Sequence, residues 1–190
     1  MLRALAVLAL LPFAIPLATP VQAQSQPYLT RAEVEAHMRA AVFCYYPDDR
    51  FSCSWAELYT EFHAESTILY TAEVSYDFPM SVSEYQLDWQ GDALCIPYET
   101  QGLRSMWEAY GYRFPFDLAG LTPLSSELLP ARIVELRDVS PESFCFQYSN
   151  DPDTPGQLLQ HVFRDGVQDA EQDPVALIPL FASGVAMRPN

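Results

Sequence analysis

The sequence predicts an α+β fold, an antiparallel sheet with two main helices stapled by disulfides, and three observations carry that expectation. Apolar residues recur at helical spacing after Thr30 and again after Thr100. The stretches between and beyond them alternate apolar and polar residues at the period of a strand. Four cysteines, an even number, follow a leader that directs export.

The leader opens with the basic Met1–Arg3, continues as the apolar run ALAVLALLPFAIPLA and ends in the small-residue cleavage site VQA before Gln24, the pattern of a secretory signal peptide. Pro12 and Pro16 interrupt an apolar run already short of the roughly 18 to 20 residues that a spanning helix needs. Cleavage after residue 23 leaves 167 of the 190 residues, one domain's worth of chain. Residues 24–168 are expected to form that α+β domain, and 169–190 an irregular tail packed against it. The first cysteine, Cys44, lies far beyond the cleavage site, so no lipid anchor is expected. The mature chain is read as a soluble protein of a bacterial periplasm or one secreted further, with no membrane insertion.

Loss of Arg3 with the leader leaves nine arginines against 25 acids, a net charge near −16. Such a surface repels nucleic acid and anionic headgroups and suits a cationic protein partner or plain solubility. All ten basic residues are arginine, which excludes Schiff-base lysines, Ser-Lys dyads and the phosphate-binding lysine of a P-loop. The seven glycines never fall closer than nine residues apart. No phosphate-cradling loop or dinucleotide fingerprint is therefore present, and no cofactor is expected.

Thr30 and Glu33 form a T-x-x-E capping box, with Leu29 and Val34 placed as a hydrophobic staple. Val34, Met38, Ala41 and Val42 continue one helical stripe, with His37 beside it. Beyond Ser52 the period becomes two: Ile68, Tyr70, Ala72, Val74 and Tyr76 alternate with mostly polar neighbours, as do Tyr85, Leu87 and Trp89. A second helix is expected from about Thr100, with Leu103, Met106, Trp107 and Tyr110 on one face and Gly111 ending it. Three more strands are expected at Ala131–Val139, Glu142–Ser149 and Gln157–Asp165, the last closed by an Asp165-Gly166 turn. The helix starts lie 70 residues apart, the offset that a degenerate helix-plus-meander duplication would leave.

Cys44, Cys53, Cys95 and Cys145 contain no C-x-x-C pair, which argues against a redox dithiol or a zinc ribbon. Of the three possible connectivities, Cys44 with Cys53 and Cys95 with Cys145 is favoured, because a turn on Pro47 and two aspartates brings the first pair together locally. By chain entropy the short loop contributes roughly 2.5 to 3 kcal/mol and the long one about 4 kcal/mol. Inside the short loop, Tyr45, Tyr46, Asp48, Asp49 and Arg50 form a rigid tip of the composition that recognises proteins.

Catalytic patterns are sparse. There is no G-x-S-x-G and no H-E-x-x-H. His63 with Glu65 could act as a base with an orienting carboxylate, and His161 shares a strand face with Leu159 and Phe163. Asp151 and Asp153 begin like a calcium loop, but Pro155 and Gly156 follow where further ligands are needed, so no metal is expected. The leading expectation is an acidic exported module that binds or inhibits a protein without catalysis. The alternatives are a periplasmic hydrolase using His63 or His161 with carboxylates, and a carrier whose aromatic-lined cavity holds a small apolar ligand.

Overall fold

The computed structural model describes residues 27–50, 52–74, 80–109, 113–114, 121–123, 128–139, 143–180 and 185–188. The expected leader lies outside them, as do Tyr76, Tyr110 and Gly111. Helix α1 (Arg31–Ala40) begins at the capping box: Glu33 Oε2 accepts from the Thr30 N–H at 2.8 Å, and the Thr30 side chain accepts from the Glu33 N–H. Val34 and Met38 are its buried residues. The helix ends before Ala41 and Val42, which belong to the next strand and not to the helical stripe.

Strands β1 (Ala41–Tyr45), β2 (Trp55–Phe62), β3 (Ser66–Glu73), β4 (Met80–Gln90) and β5 (Ala93–Ile96) run as an antiparallel meander. An insertion follows, carrying β6 (Leu103–Ala109), β7 (Arg113–Phe114), β8 (Thr122–Pro123) and helix α2 (Leu129–Val139). The meander resumes with β9 (Phe144–Asn150), β10 (Gln157–Arg164) and β11 (Val167–Pro179), and β12 (Val185–Ala186) comes last. Strand β9 pairs with β5 and β11 returns to β1, so eight strands close into an antiparallel barrel. Strand β4 divides its second edge, giving Asp88–Gln90 to β5 and Met80–Tyr85 to β6. The insertion therefore branches outward while the ring stays closed.

This architecture overturns the α+β expectation: the described residues are mostly sheet with two short helices among them. The helix expected from Thr100 is strand β6, and the strand expected at Ala131–Val139 is helix α2. Two halves do not repeat, because β1–β5 and β9–β11 are arcs of one ring and α2 lies within the insertion. Nor are residues 169–179 an irregular tail. Strand β11 runs from Val167 to Pro179 and closes the barrel. Its Pro174 is tolerated because the carbonyl accepts from the Tyr46 N–H at 3.1 Å, which places the residue's backbone groups on the β1 side just where β1 has ended.

Both faces of the ring are apolar in places, and this explains the continuous burial of β1. Phe43 and Tyr45 belong to the inner cluster with Val34, Met38, Tyr59, Leu87 and Tyr148. Val42 and Cys44 belong to an outer cluster with Ala56, Val82, Val185 and Met187, so the C-terminal segment covers part of the outside of the barrel. Each fully buried side chain of this size stabilises by about 1.5 to 3 kcal/mol. The disulfides join Cys44 to Cys53 and Cys95 to Cys145, which suits an oxidising compartment. No helix among the described residues is long and apolar enough to cross a membrane.

Candidate ligand cavity

One end of the barrel is plugged. Arg31, at the start of α1, donates through its guanidinium to the carbonyls of His63 and Ala64 and through its backbone N–H to Asp92. These bonds pin the helix across the β2–β3 and β4–β5 turns. Val34 and Met38 reach inward there, and Phe43, Leu94, Leu158 and Val175 fill that half of the ring.

The other half holds a cavity of about 400 Å³. Its lining identifies its position: Trp55 begins β2, Glu73 ends β3, Ile96 ends β5, Phe144 begins β9 and Arg164 ends β10, all at the end away from α1. Leu69, Leu87, Phe146 and Val162 supply apolar walls, Tyr85 a further ring, and Leu136 of α2 reaches the same space. A volume of this size suits one small molecule, as expected of an eight-stranded barrel that is not wholly filled by side chains.

A polar cluster lies where the cavity meets the packed half. Glu57 Oε2 accepts from Tyr45 Oη at 2.8 Å and Tyr59 Oη at 2.6 Å. Gln160 Nε2 donates to Tyr45 Oη at 2.8 Å and Tyr148 Oη at 2.9 Å. Strand alternation explains this convergence, since Trp55, Glu57 and Tyr59 share the inner face of β2. Burial, the largest influence, raises the Glu57 carboxyl above the ordinary carboxylate range, opposed by the donors Tyr59, Tyr45 and Trp55. The negative Asp173 acts in the same direction as burial. Protein surrounds the carboxyl, yet part of it faces the cavity. Burial likewise pushes the Tyr45, Tyr59 and Tyr148 hydroxyls up, so all three remain donors at neutral pH.

The stapled loop adjoins the cavity mouth. Tyr45 is fully buried and stacks on Trp55 with ring centroids 4.5 Å apart. It therefore forms no part of an exposed recognition tip. Tyr46 is exposed, and its hydroxyl, pushed up to about 12 by burial and by Asp173, donates to Asp173 in the cavity lining. Asp48 accepts from the backbone N–H groups of Arg50 and Ser52, each at 2.8 Å, and these bonds lower its carboxyl while organising the loop. Asp49 and Arg50 are exposed.

The two histidines of the hydrolase reading lie elsewhere. His63 meets Glu61 at 3.2 Å on the surface, not Glu65. His161 points away from the cavity, because Leu158, Gln160 and Val162 take the inner face of β10. It is 6 % exposed beneath the ring of Tyr28, whose centroid is 4.9 Å away. Tyr28 Oη donates to Gln168 Oε1, so the Gln168 amide nitrogen donates to His161 Nδ1 at 3.0 Å and the proton rests on Nε2, 2.8 Å from Ser149 Oγ. This chain holds a neutral imidazole, and burial lowers its pKa.

Neutral His161 contributes stability that is present above the ordinary histidine value and lost as pH falls through the lowered folded value. His161→Gln is expected to flatten the decline in melting temperature between pH 7 and pH 5. An unchanged slope would show that other groups govern acid sensitivity. Asp151 and Asp153 make a local turn, with the Asp153 N–H donating to Asp151 Oδ1 at 2.8 Å. Among the described residues no group of three or more histidines, cysteines or acids is placed to hold a metal ion.

No protein-family model, curated protein or solved structure matches the chain. Glu57, Gln160, Asp173 and the aromatic wall around them were not singled out by sequence reasoning. Their one signal is the mixture of rings and polar groups at alternate positions, as in Trp55, Glu57 and Tyr59.

Proposed function

We propose that the protein is an exported carrier or receptor that encloses one small, largely apolar molecule in its barrel, acting in a bacterial periplasm or beyond. The observation that carries this reading is the cavity of about 400 Å³, apolar-walled and ending on the hydrogen-bonded cluster at Glu57 and Gln160. Pockets that fix small ligands combine apolar walls with a few convergent polar groups in this way. The plug of α1 and the polar cluster give the cavity a closed floor, and the opposite strand ends give it a mouth.

Recognition of a cationic protein through the stapled loop draws less from the geometry, since Tyr45 faces inward and Tyr46 is tied to Asp173. A hydrolase centred on His161 would need substrate to reach a side chain roofed by Tyr28. The test is saturable binding of a neutral apolar probe and its loss when Val162→Trp fills the cavity from the β10 wall. Binding unaffected by that substitution would place the probe elsewhere.

A further inference from the structure

We infer that the cavity selects a ligand with a cationic head, such as a protonated amine on an aromatic or alkyl body, and that Glu57 receives the head. The inference rests on the reading of the barrel as a ligand site and assigns the chemistry of the ligand.

Glu57 and Asp173 line the cavity together with the cation Arg164, and Arg132, which acts on the lining residue Tyr85, is paired with Glu135 at 2.6 Å. Arg164 is already engaged: its Nε lies 2.8 Å from Asp169 Oδ2, and its guanidinium carbon sits 4.2 Å from the centre of the Phe144 ring. Glu57 and Asp173, by contrast, meet only neutral donors. Tyr45 and Tyr59 donate to Glu57, and Tyr46 donates to Asp173. Both hydroxyl bonds to Glu57 fall on Oε2 and Trp55 is its further donor, so a carboxylate with about four lone-pair sites retains acceptor capacity.

An anionic ligand would face the carboxyls of Glu57 and Asp173, where the low dielectric magnifies repulsion. A neutral one would leave the buried carboxyl with hydrogen-bond donors but no opposite charge. A cation answers both conditions, and the wall favours it further. The rings of Trp55, Tyr85, Phe144 and Phe146 face the same space, and aromatic faces attract cations while also packing an apolar body. Trp55 and Glu57 stand on one face of one strand, two residues apart, so ring and carboxylate can act on one head group together.

The experiment compares 4-phenylbutylamine, 4-phenylbutanol and 4-phenylbutanoate, which differ only in the head group, by calorimetric titration at pH 7.4. The amine is expected to bind about tenfold or more tighter than the alcohol, with the carboxylate weakest. Glu57→Gln should remove most of the amine's advantage while leaving alcohol affinity within about threefold. Asp173→Asn serves as the second variant should the first fail to fold, and it should reduce the same advantage in the same direction. If the alcohol or the carboxylate binds the wild-type protein as tightly as the amine, the assignment of a cationic head is wrong while the ligand site stands. If none of the three binds, the ligand site and the assignment fall together.

Discussion

Replacing Cys95 and Cys145 together with alanine is expected to lower stability by about 4 kcal/mol, the loop-closure entropy of a 50-residue bridge. The two cysteines are direct cross-strand partners on β5 and β9. Strand β5 has four residues, and only Leu94, Cys95 and Ile96 pair with β9. It is also where the insertion leaves the ring, so without the bridge the unfolded chain regains the freedom of that whole segment. Urea denaturation under non-reducing conditions measures the loss, and the melting temperature should fall by roughly 8 to 16 °C. A loss under about 1 kcal/mol would mean that the β5–β9 junction holds by pairing alone.

Gly102→Ala is expected to cost about 3 kcal/mol through two effects at one site. The residue has φ of +69°, in the left-handed region, and a Cβ there would stand 2.7 Å from the carbonyl oxygen of Gln86. That carbonyl belongs to β4, whose Gln86 N–H donates to the Gly102 carbonyl at 2.8 Å, so neither backbone can retreat without breaking the β4–β6 junction. Gly91 provides the control. Its φ is +64°, but nothing lies within 4 Å of an added Cβ, so Gly91→Ala should cost only about 1 kcal/mol of backbone strain. Equal losses at the two positions would remove the steric part of the explanation.

Helix α1 was legible because its signals are local: a capping box within four residues, then an apolar stripe. Strands β3 and β4 were partly legible for the same reason, since alternation survives where one face is more apolar than the other. Closure of the ring is not local. It depends on β11 returning to β1 across more than a hundred residues, and Pro174 interrupts the strand pattern of β11 at a point just beyond the end of β1. Leu103, Met106 and Trp107 fit a helical period by chance, whereas pairing with β4 makes them a strand. Residues 131–139 carry apolar side chains suited to a strand, yet Pro130 in the first helical turn and the Arg132–Glu135 ion pair at 2.6 Å suit a helix.

The candidate site escaped sequence reading for a related reason. Polar residues in a strand ordinarily mark its solvated face, so Gln160 and Arg164 give no sign in the sequence that their face of β10 points inward. The structure reverses that parity. Leu158, Gln160 and Val162 point inward, and His161 lies outside under Tyr28. A buried carboxyl such as Glu57 leaves no separate mark in the sequence, because the cluster around it is completed by Tyr148 and Gln160, which bond to Tyr45 from strands far along the chain.

Titration of the folded protein with the neutral probe N-phenyl-1-naphthylamine, followed by its fluorescence and by energy transfer from tryptophan, addresses the enclosed ligand site most directly. One probe per chain is expected to bind saturably in the wild-type protein, and Val162→Trp should weaken that binding by about tenfold or more without loss of the folded state. Absence of saturable binding, or equal affinity in the filled variant, would contradict a ligand-holding barrel.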